Sequence, residues 1–167
     1  MSIDELANSM TDALAAEAAA YAAVLELAEA QREALESNDL ARIDRITAEQ
    51  IEAVAAITRL GRERDTASTA LGAELGLSPD ASTLHLLVAA LPPEERNAPN
   101  SIGERLRGIV GQIERVSERN KGMLVNGLRT SQFMLSQVLG SPAREPVYAR
   151  DGRVDQSLEG GALEYRA

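Results

Sequence analysis

Residues 101–139 read SIGERLRGIVGQIERVSERNKGMLVNGLRTSQFMLSQVL, with apolar side chains at repeated intervals of three and four. That spacing places side chains along one face of an α-helix. The apolar series consists of Ile102, Leu106, Ile109, Ile113, Val116, Met123, Leu124, Leu128, Met134, Leu135, Val138 and Leu139. Ser101 and Glu104 have the spacing of a capping box, and Gly140 and Pro142 end the pattern. We therefore predict one helix about 60 Å long, whose apolar face must pack against other parts of the chain.

The segments before this helix carry the same kind of signal. Ser2 and Glu5 form a second capping-box pattern, and residues 37–39 form a tight reversal that makes the first two helices antiparallel. We expect an all-α fold: an elongated antiparallel three-helix bundle or coiled coil with a short extra helix and a flexible C-terminal tail. The predicted boundaries are 1–142 for the bundle, with helices at about 3–37, 39–75, 80–91 and 101–139, and 143–167 for the tail.

The charge of the chain limits the partners it can have. A net charge of −9 argues against nucleic acid, because a phosphate backbone would be repelled. The charge is uneven, since residues 1–65 carry fourteen acidic and six basic side chains, whereas residues 99–140 carry three and six. These opposite charges either meet inside the fold or leave an acidic surface for a basic partner.

The distribution of apolar residues argues against a membrane protein. The most apolar run, Ala18 to Ala28, is too short for a membrane span and contains Glu26. The first twelve residues lack the basic start and the apolar core of a signal peptide. We expect a cytoplasmic protein without stable membrane insertion.

No residue pattern indicates catalysis or a cofactor. The single histidine, His85, has no cysteine or second histidine with which to bind a metal or to activate a nucleophile. The charged run between Gly61 and Ala70 is typical of a solvated helix face. We expect a protein that is not an enzyme and that uses neither cofactor nor metal.

Asn120 interrupts the apolar series of the long helix. A polar residue in a helical seam often fixes the register of the packed helices. Alternatively the seam opens at this point, and the following residues bind another chain. Gly122 and Gly127 favour an open seam, because a buried helix gains little from glycine. The candidate partner-binding residues are Asn120, Leu124, Leu128, Met134, Leu135, Val138 and Leu139.

Four segments carry motifs of one known family. They are YAAVLELAEAQREAL at 21–35, NDLARIDRITAEQIEAVAAI at 38–57, RVSERNKGMLVNGL at 115–128 and VYARDGRV at 147–154. The third resembles an Asn-x-x-Asn-x-x-Leu-Leu pattern, with Asn120 at the later Asn and Ser117 in place of the earlier one. The fourth is similar to a C-terminal Tyr-x-x-x-Gly motif, matched by Tyr148 and Gly152. Together these segments resemble the FlgN-type flagellar export chaperones.

The resemblance implies a function. Such chaperones bind the C-terminal amphipathic helices of hook-associated (hook-filament junction) proteins, prevent their premature assembly and deliver them to the type III export gate. By this resemblance the candidate residues of the long helix bind the client, and Tyr148 and Gly152 dock at the gate. The alternative is a structural or adaptor bundle that covers its apolar face by homodimerisation.

Overall fold

A computed structural model describes residues 2–78 and 83–139 of the chain. Its elements are α1 (Ile3–Glu36), α2 (Leu40–Glu74), α3 (Leu84–Ala90), a single 3-10 turn (Pro93–Glu95) and α4 (Asn97–Leu139). No strand occurs in these two ranges, so the predicted all-α class is confirmed. The observed α3 is shorter than the predicted helix at 80–91, and residues 79–82 lie outside the described part of the chain.

The caps of the first two helices follow the sequence signals. The backbone N–H of Ser2 donates to Glu5 Oε2 at 2.8 Å, and the N–H of Glu5 donates to Ser2 Oγ at 3.2 Å, which is a complete capping box. Asn38 adopts a positive φ of 53° in the reversal, and Asp39 Oδ1 accepts a hydrogen bond from the N–H of Arg42 at 3.0 Å. These local bonds define the turn that lays α2 antiparallel to α1.

The start of α4 corrects one sequence prediction. The helix begins at Asn97 and not at Ser101, so Ser101 and Glu104 lie inside the helix and not at its N-terminus. Pro99 permits this earlier start, because the N–H groups of a first helical turn have no intrahelical partner and proline loses nothing there. The ring of Pro99 is fully buried, which adds an apolar contact at the beginning of the helix.

The chain divides into two compact units, Met1–Asn126 and Gly127–Ala167. In the first unit α1 and α2 pack against each other along their length. Three alanines of α1 are completely or almost completely buried: Ala18, Ala28 and Ala34.

The main apolar cluster of the first unit joins α1, α2 and α3. Its side chains are almost inaccessible to water, and they are Leu6, Ala7, Met10, Leu71, Leu87 and Leu91. The first unit therefore has its best-packed core near the N-terminus of α1, where α3 covers the two long helices.

The first part of α4 packs on this core through Gly103. A Cβ atom at this position would lie 2.9 Å from Leu84 Cδ2, so a larger residue here would require the Leu84 side chain to shift. Val116 and Asn120 are the next buried positions along α4. In the second unit the described residues, 127–139, are helical throughout.

Candidate partner-binding surface

The large apolar residues that follow Met123 on α4 are exposed to solvent. In the first unit Leu124 and Val125 are about half exposed. In the second unit the exposed fraction is 61% for Leu128, 62% for Met134, 58% for Leu135 and 82% for Val138. Monomeric proteins seldom expose so many neighbouring apolar side chains, and such a cluster marks a surface where another molecule binds.

The exposed residues of the second unit lie on one helical face. Leu128, Leu135 and Val138 are separated by seven and three positions, so they form a stripe along the helix, and Met134 lies beside it. This stripe of Leu128, Met134, Leu135 and Val138 is called the apolar stripe below. Phe133 is also exposed, but it lies away from the centre of the stripe. The shape of the stripe is suited to an amphipathic helix laid along it.

Asn120 lies in the interior of the first unit. Its side chain is 3% exposed, and Nδ2 donates to the backbone oxygen of Ala28 at 2.8 Å and to Gln31 Oε1 at 3.2 Å. Gln31 Nε2 in turn donates to Gln50 Oε1 on α2 at 3.2 Å. These contacts tie α4 to α1 and α2 at one level, as expected of a residue that fixes register. The structure thus separates Asn120 from the exposed residues with which the sequence grouped it.

One atom of this polar layer has no partner. Asn120 Oδ1 is buried without a hydrogen-bond donor among the described residues. A buried acceptor without a donor costs about 1–3 kcal/mol, which offsets part of the free energy gained from the hydrogen bonds that Asn120 Nδ2 donates.

Exposed apolar residues also occur on α2. Leu40 and Ile51 are each 68% exposed and Val54 is 54% exposed. The less exposed residues of this stretch instead include the series Ile46, Gln50, Ala53, Ile57 and Leu60, in which a glutamine and an alanine occupy two positions. Gln50 bonds to Gln31 of α1. Hydrophobicity alone therefore indicates the wrong face in the middle of α2.

The charged run between Gly61 and Ala70 is not a purely solvated face. Arg64 on α2 donates from Nη1 to Glu17 Oε2 on α1 at 3.0 Å, and the side chain of Glu17 is only 5% exposed. Arg64 also bonds to the exposed Asp65. No sequence signal distinguished Arg64 from its charged neighbours, because its partner lies 47 positions away.

A cleft of about 790 Å³ opens beside this ion pair in the first unit. Its walls come from all four helices and mix apolar side chains with charges of both signs, including Leu14, Arg64, His85, Leu106 and Arg107. His85 is exposed at the rim, and the described part of the chain contains no group of three His, Cys, Asp or Glu side chains that could hold a metal ion. Within the same described ranges no helix is long and apolar enough to cross a membrane.

Three of the candidate residues lie beyond what the structure describes. Tyr148 and Gly152 are outside the described residues, and for Leu139 the helical backbone is described but the side chain is not. Of the candidate residues whose side chains the structure describes, the four of the apolar stripe are exposed in the second unit, and Leu124 is exposed in the first unit.

The comparison with known families decides what kind of protein carries this surface. A family model described as FlgN protein matches residues 1–156. The chain belongs to the FlgN family. No curated protein and no solved structure matches it. Membership of the FlgN family confirms the resemblance read from the sequence and supports a general role as a flagellar export chaperone.

Proposed function

We propose that this FlgN-family protein is a cytoplasmic export chaperone for hook-associated proteins. It binds their C-terminal amphipathic helices, prevents premature assembly and delivers them to the type III export gate. Three findings support the proposal: the family membership, the all-helical fold and the exposed apolar side chains of α4. The proposed mechanism needs no catalytic group, cofactor or metal, so we propose that the protein is not an enzyme.

The exposed stripe is the observation that carries the proposal. Each large aliphatic side chain that becomes fully buried contributes about 1.5–3 kcal/mol, so burial of the stripe would offset much of the free-energy cost of association. Such a complex would bury about 1,200–2,000 Å² in total. The binding must remain reversible because the client is released for export, and a surface rich in flexible Met and Leu side chains suits reversible binding to related clients.

Asn120 has a supporting role in this proposal. Since it is buried and bonded to α1, it holds α4 in register within the first unit and does not meet the client directly. Tyr148 and Gly152 are proposed to dock at the export gate on the basis of the family motif alone.

The test is a binding titration between the purified protein and the C-terminal peptide of a hook-associated protein from the same genome. Leu128→Asp should weaken binding roughly thirtyfold, because about 2 kcal/mol of apolar burial is lost. Ile51→Asp is the matched control, since Ile51 is equally large and similarly exposed but lies on α2. Equal affinity of a folded Leu128→Asp protein and the wild type would reject the stripe as the client site.

The competing function is a helical-bundle adaptor that forms a homodimer through the same stripe. The exposure of the stripe is compatible with a client helix and with a second copy of the chain, because either would cover the apolar side chains. Sedimentation velocity at several concentrations separates the two. A tight dimer that ignores the client peptide would support the adaptor, whereas a monomer that binds the peptide supports the chaperone.

A further inference from the structure

A second exposed face without charge lies on α2, in the first unit. Four exposed residues follow one another at intervals of four, three and four positions: Thr47, Ile51, Val54 and Thr58. At about 100° per residue they lie within about 60° of one another around the helix. Gln50 and Arg64, which bond to α1, lie about 70° and 110° from the centre of this group. These four residues, called the α2 face below, are therefore not covered by α1.

The α2 face has the same pattern in both directions along the helix. A threonine stands at each end and the two aliphatic residues stand between them, at equal distances on either side of a midpoint between residues 52 and 53. A second copy of α2 that runs antiparallel, related by a two-fold axis at this midpoint, would place Ile51 opposite Val54 twice and Thr47 opposite Thr58 twice. The face is thus complementary to itself, as a symmetric homodimer requires.

The polar atoms of the α2 face permit its burial. The hydroxyl groups of Thr47 and Thr58 donate to the backbone oxygens four positions earlier, at 2.8 Å and 3.0 Å. Both donors are satisfied within α2, so a helix that covers them leaves neither donor unpaired. Beside the face lie Ala48 and Ala55, which are exposed and small, so a second helix can approach closely.

The charges beside the α2 face favour an antiparallel copy. Asp44 and Arg62 are exposed and lie about 50° from the centre of the face, on the side away from α1. Neither takes part in an ion pair between described residues. They lie at nearly equal distances on either side of the midpoint, so the two-fold axis brings Asp44 of each copy opposite Arg62 of the other. A parallel pair would instead place like charges together, which costs free energy.

We propose that the α2 face is a homodimer interface in which α2 of one copy packs antiparallel on α2 of a second copy. This inference goes beyond the proposed function and does not depend on it, because the interface uses no residue of the apolar stripe. A contact between single helices is at the lower end of the size range of specific interfaces. The dimer therefore forms reversibly and depends on protein concentration.

Sedimentation velocity of the full chain, from micromolar to millimolar protein, tests the inference. The wild type should show a monomer–dimer equilibrium. Ile51→Asp should raise the dimer Kd at least about a hundredfold, because each dimer loses two buried isoleucines, and Val54→Asp should act in the same way. Leu128→Asp, at a similarly exposed position on α4, is the matched control and should leave the dimer unchanged. Circular dichroism of each variant verifies that it is folded.

An exchange of charges tests the antiparallel register. Asp44→Arg and Arg62→Asp should each raise the Kd about tenfold at low salt, because each substitution places like charges opposite each other twice. The double variant Asp44→Arg/Arg62→Asp should recover the wild-type Kd, because opposite charges meet again. Arg45→Asp, an exposed position about 150° from the centre of the face, is the control for net charge and should have no effect.

The outcomes separate this inference from the proposed function. A wild type that stays monomeric at every concentration, a dimer that Ile51→Asp leaves intact, or a double charge variant that is no tighter than the single ones would refute the inference. Dissociation of the dimer by Leu128→Asp would assign self-association to the apolar stripe and also refute it. The Ile51→Asp protein should bind the client peptide as the wild type does; a loss would make the α2 face a client site and refute the homodimer. Failure of the wild type to bind the peptide would reject only the chaperone function.

Discussion

Removing the guanidinium of Arg64 should destabilise the first unit strongly. In the native protein Arg64 Nη1 lies 3.0 Å from Glu17 Oε2 and 3.4 Å from Glu17 Oε1, and it bridges α2 to α1. Burial lowers the pKa of Arg64, but the hydrogen bond to Asp65 and the charges of Glu17 and Asp65 outweigh it and raise the pKa above its ordinary value. The residue is therefore charged under all practical conditions. In Arg64→Leu the carboxylate of Glu17 stays buried without a cation.

The size of the effect follows from the exposure of the two side chains. Breaking a fully buried ion pair by removal of one partner costs about 3–5 kcal/mol. The side chain of Glu17 is 5% exposed but that of Arg64 is 33% exposed, so water can partly solvate the abandoned carboxylate. We expect a loss of about 2–3 kcal/mol for Arg64→Leu. For a domain of this size that corresponds to a fall in melting temperature of about 5–10 °C.

The assay is urea and thermal unfolding followed by circular dichroism at a helical wavelength. The double variant Glu17→Gln/Arg64→Leu should recover most of the loss, since it removes the unpaired charge. Arg62→Leu, an exposed arginine on the same helix, is the control and should change stability by less than about 0.5 kcal/mol. The reasoning is wrong if Arg64→Leu unfolds like the wild type, or if the double variant is no more stable than Arg64→Leu alone.

Two further predictions concern the glycines of α4 and the carboxyl group of Glu95. Gly122→Ala and Gly127→Ala should each stabilise α4 by about 0.5–1 kcal/mol, because alanine is the better helix former and no atom lies within 4 Å of an added Cβ at either position. Slower amide hydrogen exchange in α4 would support this prediction, and faster exchange would contradict it. Burial and the adjacent Asp4 carboxyl raise the pKa of Glu95 above its ordinary value of 4.5, so the folded state binds the Glu95 proton more tightly than the unfolded state does. The protonated Glu95 carboxyl therefore contributes stability below pH 4.5, and this contribution is lost as the pH rises through the pKa of the folded state. Glu95→Gln should therefore be more stable than the wild type at neutral pH and equally stable in acid. Unfolding curves measured across this pH range would test the difference. A variant that is less stable than the wild type at pH 7 would show that the fold favours the ionised carboxylate.

The sequence by itself determined the local structure and the family. The helix class, the capping box of Ser2 and Glu5 and the reversal before α2 depend on residues a few positions apart, so the pattern contains all the information they need. The exposed apolar side chains at the end of α4 agree with the open-seam alternative that Gly122 and Gly127 favoured. The family motifs agree with the FlgN match over residues 1–156.

Only the tertiary structure decided which side chains meet across the chain. It paired Arg64 with Glu17, turned Ile51 and Val54 outward, and placed Asn120 against Ala28. Each of these depends on the rotation of one long helix relative to another, and a small rotation exchanges inward and outward positions without altering the helical pattern. The sequence shows which residues share a helix face, but the packing of residues many positions apart determines which face becomes buried.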